Sequence, residues 1–238
     1  MIGHDFEKIQ FDIWGFHFLE PNAMIGDALL FICSLIISNK ISNLESQHAF
    51  HKNWRRFYLI FGFSFLLGGF GHFFYHYLGL WGKYPSWILS MLSTYFLGLA
   101  QISLWPNIRQ QQLFKKAAML LLLLGVAIEL IVFNTMDLNI DQSRGLAVPS
   151  IISGIGMIFA LFFLGLYYHK KYHPNFMYFW IAVLTLFPSA IIQSQKINLA
   201  PWFDRNDLSH VLLFICLILY WKGIQAFKHL NSLKDASI

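Results

Sequence analysis

Residues Phe57–Leu78 read FYLIFGFSFLLGGFGHFFYHYL, an apolar run with no Asp, Glu, Lys or Arg but with His72 and His76 near its end. About 20 such residues cross the hydrocarbon core of a bilayer as a helix. Six more apolar runs follow the same rule, at roughly 22–38, 85–105, 116–134, 147–168, 175–193 and 207–224. Short connections join them, and no internal repeat, low-complexity tract or soluble domain interrupts the series. The expected fold is therefore an all-α integral membrane protein, a seven-transmembrane-helix bundle. Composition agrees: 57% of residues are hydrophobic and 12% are charged, against roughly a quarter charged in soluble domains.

Lys and Arg set the orientation of such a bundle. Lys40, Lys52, Arg55, Arg56, Arg109, Lys115, Lys116, Lys170, Lys171, Lys222, Lys228 and Lys234 fall on one side; Lys8, Lys83, Arg144, Lys196 and Arg205 fall on the other. The N-terminus is predicted outside and the C-terminus cytoplasmic, in a multi-pass protein of the cell membrane. The net charge of +5 is then a topology signal, and nucleic acid is not an expected partner. Residues 1–21 mix aromatics with charges and read as an interfacial segment, helical, on the outer face. Residues 22–224 form the transmembrane domain and 225–238 a cytoplasmic tail. Asp5, Glu7, Asp12 and Glu20 are the reverse of a basic signal-peptide start, so no cleavable signal is expected. Cys33 and Cys216 lie in apolar runs and read as small buried residues.

At ~1.5 Å of rise per residue, this topology collects the polar residues in one outer layer. His72, Asp27, Glu129 and His210 each fall within roughly 5–10 Å of the outer boundary. Ser86, Ser90, Ser93, Ser150 and Ser153 lie in outer halves too, whereas the inner halves hold little beyond Gln101 and boundary lysines. Ionisable side chains inside a membrane cost free energy and need partners or a task.

On one continuous helix His72 and His76 stand one above the other. With His210 they make a candidate metal site: three imidazoles and a water form an open zinc centre that can attack an acyl carbonyl. The same two rings also suit an aromatic belt beside Tyr75 and Tyr77. Asp207 shares a face with His210 and can orient it or relay a proton; Asp27 can do the same, so both are candidate catalytic carboxylates. Asn206 and Glu129 are candidate ligand-orienting or cation-binding groups, and Glu20 with Asn22 is a candidate cation site or a helix cap. Helix capping also competes for Asp204, Asn206 and Asp207. Gly68, Gly69 and Gly71 read as close helix packing. His48, His51, His169, His173 and His229 read as solvated on the cytoplasmic side. Pro188 marks a kink in the sixth helix, and Pro149 a first-turn position in the fifth. Lys222 in the last helix invites comparison with retinal proteins, but it lies at the cytoplasmic end, and the third helix offers no carboxylate counter-ion.

Seven helices, a histidine late in the second and an Asp/Asn-rich entry to His210 in the seventh resemble the CREST superfamily of membrane lipid hydrolases, which includes alkaline ceramidases and adiponectin-type receptors. The resemblance implies a zinc-dependent hydrolase of a lipid amide or ester, with membrane lipids as partners and substrate. Glu20-x-Asn22 resembles part of the Glu-x-Asn element that belongs to a calcium site in alkaline ceramidases. The chain departs from the family pattern. The serine position is Gly68 if His72 is the family histidine, and His72 if His76 is. The histidine that should pair with His210 in the last helix is replaced by Asn206 or, at the other offset, by Phe214, and Lys83 and Tyr84 stand where an aspartate belongs. Two other functions fit the same layer: a b-type haem held by a second-helix histidine and His210, and a non-catalytic receptor, transport or assembly subunit.

Overall fold

The computed structural model describes residues 2–44, 48–138 and 143–227. Its helices are α1 (Pro21–Ser42), α2 (Ala49–Phe73), the single turn α3 (Tyr75–Leu78), α4 (Tyr84–Ile102), α5 (Ile108–Thr135), α6 (Ser143–Met157), α7 (Leu164–Lys171), α8 (Met177–Ser194) and α9 (Arg205–Gln225). A π-helical stretch, Ile158–Phe163, joins α6 to α7 in one long segment. Five segments are long and apolar enough to cross a membrane, or six if Ala49–Phe73 and Tyr75–Gly82 form one bent span. The protein is a multi-pass, all-α membrane protein. The remaining long helix, α4, carries Ser86, Ser90, Ser93, Thr94 and Gln101. It packs among α2, α5 and α6, with those polar groups largely buried.

Local chemistry starts the helices. Pro21 opens α1, where its missing N–H costs nothing. Asn107 caps α5 by accepting from the Gln110 N–H. Asp204 and Asp207 form a reciprocal capping box on α9. His48 caps α2 through its ring, accepting from the Phe50 N–H at 3.1 Å.

Contacts define two ends. At one, Phe227 lies against His48 and His51, with ring centroids 4.8 and 4.7 Å apart, and the Tyr168 hydroxyl donates to the Gln101 carbonyl. At the other, Glu20 meets His72, Asn22 meets Asp207, and Tyr84 stacks on Phe133 at 3.8 Å. Between them lies an aromatic core. Trp54 stacks on Phe179 at 5.4 Å, and the Tyr58 hydroxyl donates to the Leu217 carbonyl. Phe179 fits against Gly223, where an added Cβ would fall 2.7 Å from the ring. Lipid tails are as apolar as leucine, so such packing holds the helices by dispersion and hydrogen bonding rather than by escape from water.

The structure corrects several expectations. The N-terminal segment is a hairpin, β1 (Gln10–Ile13) against β2 (Phe16–Leu19), rather than an interfacial helix. Trp14 and Gly15 both have positive φ, 52° and 81°, as a tight two-residue turn between twisted strands requires. The alternation Phe11, Ile13 and Phe16, Phe18 had the period of a strand. Phe11 pairs with Phe18; Phe18 stacks on Phe73, and Phe11 meets the same ring at a tilt. Pro188 lies inside α8, and because α6 starts at Ser143, Pro149 lies inside α6 rather than in its first turn. His51 is buried among aromatics rather than wet. His169 and His173 serve local turns. His229, Lys228, Lys234 and most of the expected tail lie outside the described residues.

Candidate functional site

The polar residues at the N-terminal end do come together, and most close on a neighbour, although His210 Nδ1 is buried without a hydrogen-bond partner among the described residues. Glu20 has φ 51° and ψ 57°, a left-handed conformation that swings the chain from β2 into α1. Its carboxylate turns inward: Oε2 lies 2.7 Å from His72 Nδ1, and Oε1 takes the Lys8 ammonium. Lys8 Nζ also lies 3.7 Å from Asp204 Oδ2, so it bridges two acids. Burial opposes the charge on Glu20. The His72 hydrogen bond and the His72 and Lys8 charges outweigh it, and they hold the carboxyl below the usual range.

Asp27, six residues into α1, is buried with Oδ1 3.2 Å from His210 Nε2. Both sides of that pair are packed by missing side chains. A Cβ on Gly69 would fall 2.9 Å from Asp27 Cβ, and one on Gly26 would fall 2.5 Å from His210 Nδ1. Gly71 lets α2 meet the turn before α4, with an added Cβ only 2.6 Å from the Gly82 carbonyl oxygen. Gly69 and Gly71 are thus close-approach positions.

Asp207 Oδ2 accepts from Asn22 Nδ2 at 2.7 Å and from the Asp204 N–H at 2.9 Å, so it caps α9 and braces it to α1. Asn206 Oδ1 accepts from Gln193. Neither residue orients His210. Lys83 sits before α4 with its ammonium 5.4 Å from the Tyr75 ring centroid; burial pushes its pKa down, against the pull of Glu20 and Asp27. Ser86, Ser90 and Ser93 each donate back to a carbonyl three residues earlier.

His76 does not join this cluster. The helix that would align it with His72 ends at Phe73, and the chain bends by 84° into α3. His76 is exposed there, its ring 6.2 Å from that of His17. A three-histidine zinc centre therefore does not fit. His210 has one nitrogen on Asp27 and the other packed against Gly26, and among the described residues no three His, Cys, Asp or Glu side chains converge as a metal site. The calcium position suggested by Glu20 and Asn22 is filled by the Lys8 ammonium and by the Asn22–Asp207 bond. The free space among Lys8, Glu20, Asn22 and Asp204 is about 10 Å³, room for about one water.

The larger space lies elsewhere. An apolar cavity of about 270 Å³ opens between α4, α5 and the α6–π segment, with Thr94, Gly98, Ala118, Leu122, Ile155 and Phe159 among its walls. Phe159 belongs to the π-helical stretch, a distortion often found beside functional sites. A Cβ on Gly98 would meet nothing within 4 Å. One helix bounding this space, α5, buries only Gly125, Glu129 and Val132. Its other faces carry exposed residues such as Leu123, Leu124 and Ile131. Glu129 is fully buried, and among the described residues neither of its carboxyl oxygens has a hydrogen-bond partner.

The helices that build the polar end and the cavity also carry the relationship to known sequences. A model for a family of unknown function (DUF6962) matches residues 22–229. The chain belongs to that family. The match spans α1 to α9 and begins after the hairpin and Glu20. No curated protein and no solved structure matches the chain.

The polar layer was legible in the sequence because intramembrane charges stand out. The cavity was not, since its walls are ordinary apolar residues. Its one sequence signal was a small-residue face, Gly98 on α4, Ala117 and Ala118 on α5 and Gly156 on α6.

Proposed function

We propose that this chain is a seven-span membrane protein that binds an apolar ligand drawn from the bilayer, in the cavity between α4, α5 and α6, without a catalytic metal. The seventh span is α4, whose inner position relaxes the demand for an apolar surface. The Lys and Arg distribution orients the N-terminus outside and the C-terminus in the cytoplasm of the cell membrane. The cavity carries the reading. Its volume approaches the lower end of small-molecule sites, ~300 Å³. It opens between α5 and the α6–π segment, the two spans least buried among those of the described residues. A hydrolase at the polar end has no comparable room for a substrate, and its imidazoles are committed to carboxylates.

Mass spectrometry of lipids retained by the purified full chain in nanodiscs tests this, with wild type beside Gly98→Leu. The added side chain enters open space, so folding is expected to survive and the retained ligand to be lost. Equal retention by both proteins would overturn the cavity as the site. Turnover of lipid amides or esters, abolished by His72→Asn, would restore the hydrolase.

A further inference from the structure

Glu129 is a buried carboxyl with no partner among the described residues, on a helix that otherwise buries only Gly125 and Val132. Leaving such a group unpaired is costly, and a membrane-embedded one marks a ligand or ion contact by default. Its position relative to the cavity is defined by Gly125, one turn before it on the same face. Met91 and Ile152 both line the cavity, and both close on Gly125, where a Cβ would fall 3.0 Å from the Met91 sulfur and 2.9 Å from Ile152. Side chains on a helix lean toward its N-terminus, so Glu129 leans to the Gly125 side of its own Cα while staying within electrostatic reach of Tyr84, beyond the Met91 end of the cavity.

A second unpartnered group lies on α6. Ser153 follows the cavity-lining Ile152, and its hydroxyl is buried without a partner among the described residues. Helices α5 and α6 run antiparallel, since Gly125 meets Ile152 whereas Leu138 meets Gly145. The lean of Ser153 toward its own N-terminus therefore carries its hydroxyl toward the level of Glu129. Pro149, one turn earlier, lacks the N–H that would satisfy the Gly145 carbonyl in a regular helix, adding an acceptor on the same side. Met91, a flexible side chain, is the obstruction between the cavity and this polar end.

We infer that the cavity takes a single-chain amphiphile whose head donates hydrogen bonds, with Glu129 and Ser153 receiving the head and the tail lying along Thr94, Gly98 and Ile155. Amines and alcohols share this chemistry. An amine adds a charge for the carboxylate, and an alcohol does not. The inference rests on the cavity being the ligand site.

The test uses the full chain in nanodiscs and three chain-diazirine probes of equal length: an aliphatic primary amine, the matching alcohol and the matching hydrocarbon. The readout is saturable cross-linking to peptides of α4, α5 and α6. Wild type is expected to prefer the amine or the alcohol over the hydrocarbon by about ten- to a hundredfold. Glu129→Leu is expected to erase that preference while the hydrocarbon still labels, and Ser153→Ala to reduce it. Glu129→Gln separates the two heads, lowering the amine and sparing the alcohol. Gly98→Leu is expected to abolish labelling by all three. If the hydrocarbon labels as well as the others and Glu129→Leu changes nothing, the head site is wrong and the cavity stands. If no probe labels saturably, or if Gly98→Leu has no effect, the cavity reading itself fails.

Discussion

Glu20 and Glu129 are both buried carboxyls, yet their surroundings are opposite. Glu20 accepts from Lys8 and His72 at a polar end that holds almost no free space. Glu129 has no hydrogen-bond partner among the described residues and lies about two helical turns past Leu122, the last α5 residue lining a 270 Å³ cavity. A dense set of charges in a membrane protein is thus not by itself a site. Where every charge is matched, the set works as a clamp, joining the hairpin to α1, α2 and α9. The incomplete set, poor in charges, is the one with something left to bind.

The same substitution should therefore have opposite signs at the two positions. Glu20→Leu leaves the half-buried His72 imidazole without its carboxylate and Lys8 with only Asp204, and is expected to cost about 1–3 kcal/mol. Glu129→Leu removes an unpaired polar group in favour of an apolar one of similar volume, and is expected to be neutral or to stabilise by about 1–2 kcal/mol. Thermal unfolding of both variants in one detergent checks this. Two losses of equal size would mean that Glu129 is paired within the fold. Gly71→Ala comes next, at about 1–3 kcal/mol lost, because the new methyl meets the backbone at Gly82 rather than a side chain that could turn away.

The clamp should also respond to pH, with a defined sign. Glu20 titrates below its ordinary value of 4.5 in the folded chain. Its stabilisation is therefore complete above about pH 4.5 and is lost as pH falls below that value, by about 1.4 kcal/mol per unit. The melting difference between wild type and Glu20→Gln should stay level from pH 7 to 5 and narrow toward pH 3.5. A difference that widened on acidification would contradict the charged Glu20.

The helical plan was legible because apolar runs of membrane-spanning length have few alternative explanations. Asp27, His72 and His210 were likewise visible as polar residues at one depth, and Asp27 with His210 and His72 with Glu20 do meet. What failed was continuity. The pairing of His72 with His76 assumed one unbroken helix, and the bend at Phe74 lies in an aromatic run without proline or charge to mark it. The break is explained by tertiary contacts, since Phe73 and Phe74 pack on Phe18 of the hairpin while Gly71 presses on Gly82. The hairpin was misread because Trp14-Gly15 is an unusual turn pair, so the charges beside the aromatics weighed more than their alternation. A cavity is a property of side-chain volumes across three helices, and no single stretch encodes it.

The smallest effect gives the finest comparison. Ser86, Ser90 and Ser93 donate to carbonyls of their own helix, whereas the buried Ser153 hydroxyl has no partner among the described residues. Replacing a bonded hydroxyl with a methyl hydrogen costs about 0.5–1.5 kcal/mol, while removing an unbonded buried one relieves a desolvation cost. Ser93→Ala is thus expected to lower the melting temperature slightly and Ser153→Ala to raise it, in protein stripped of retained lipid. Restoring the ligand should reverse the sign at Ser153 alone, because the hydroxyl then has a head group to bond and its loss removes a contact. A Ser153 variant whose melting shift ignores the ligand would leave Glu129 as the sole polar contact at that end of the cavity.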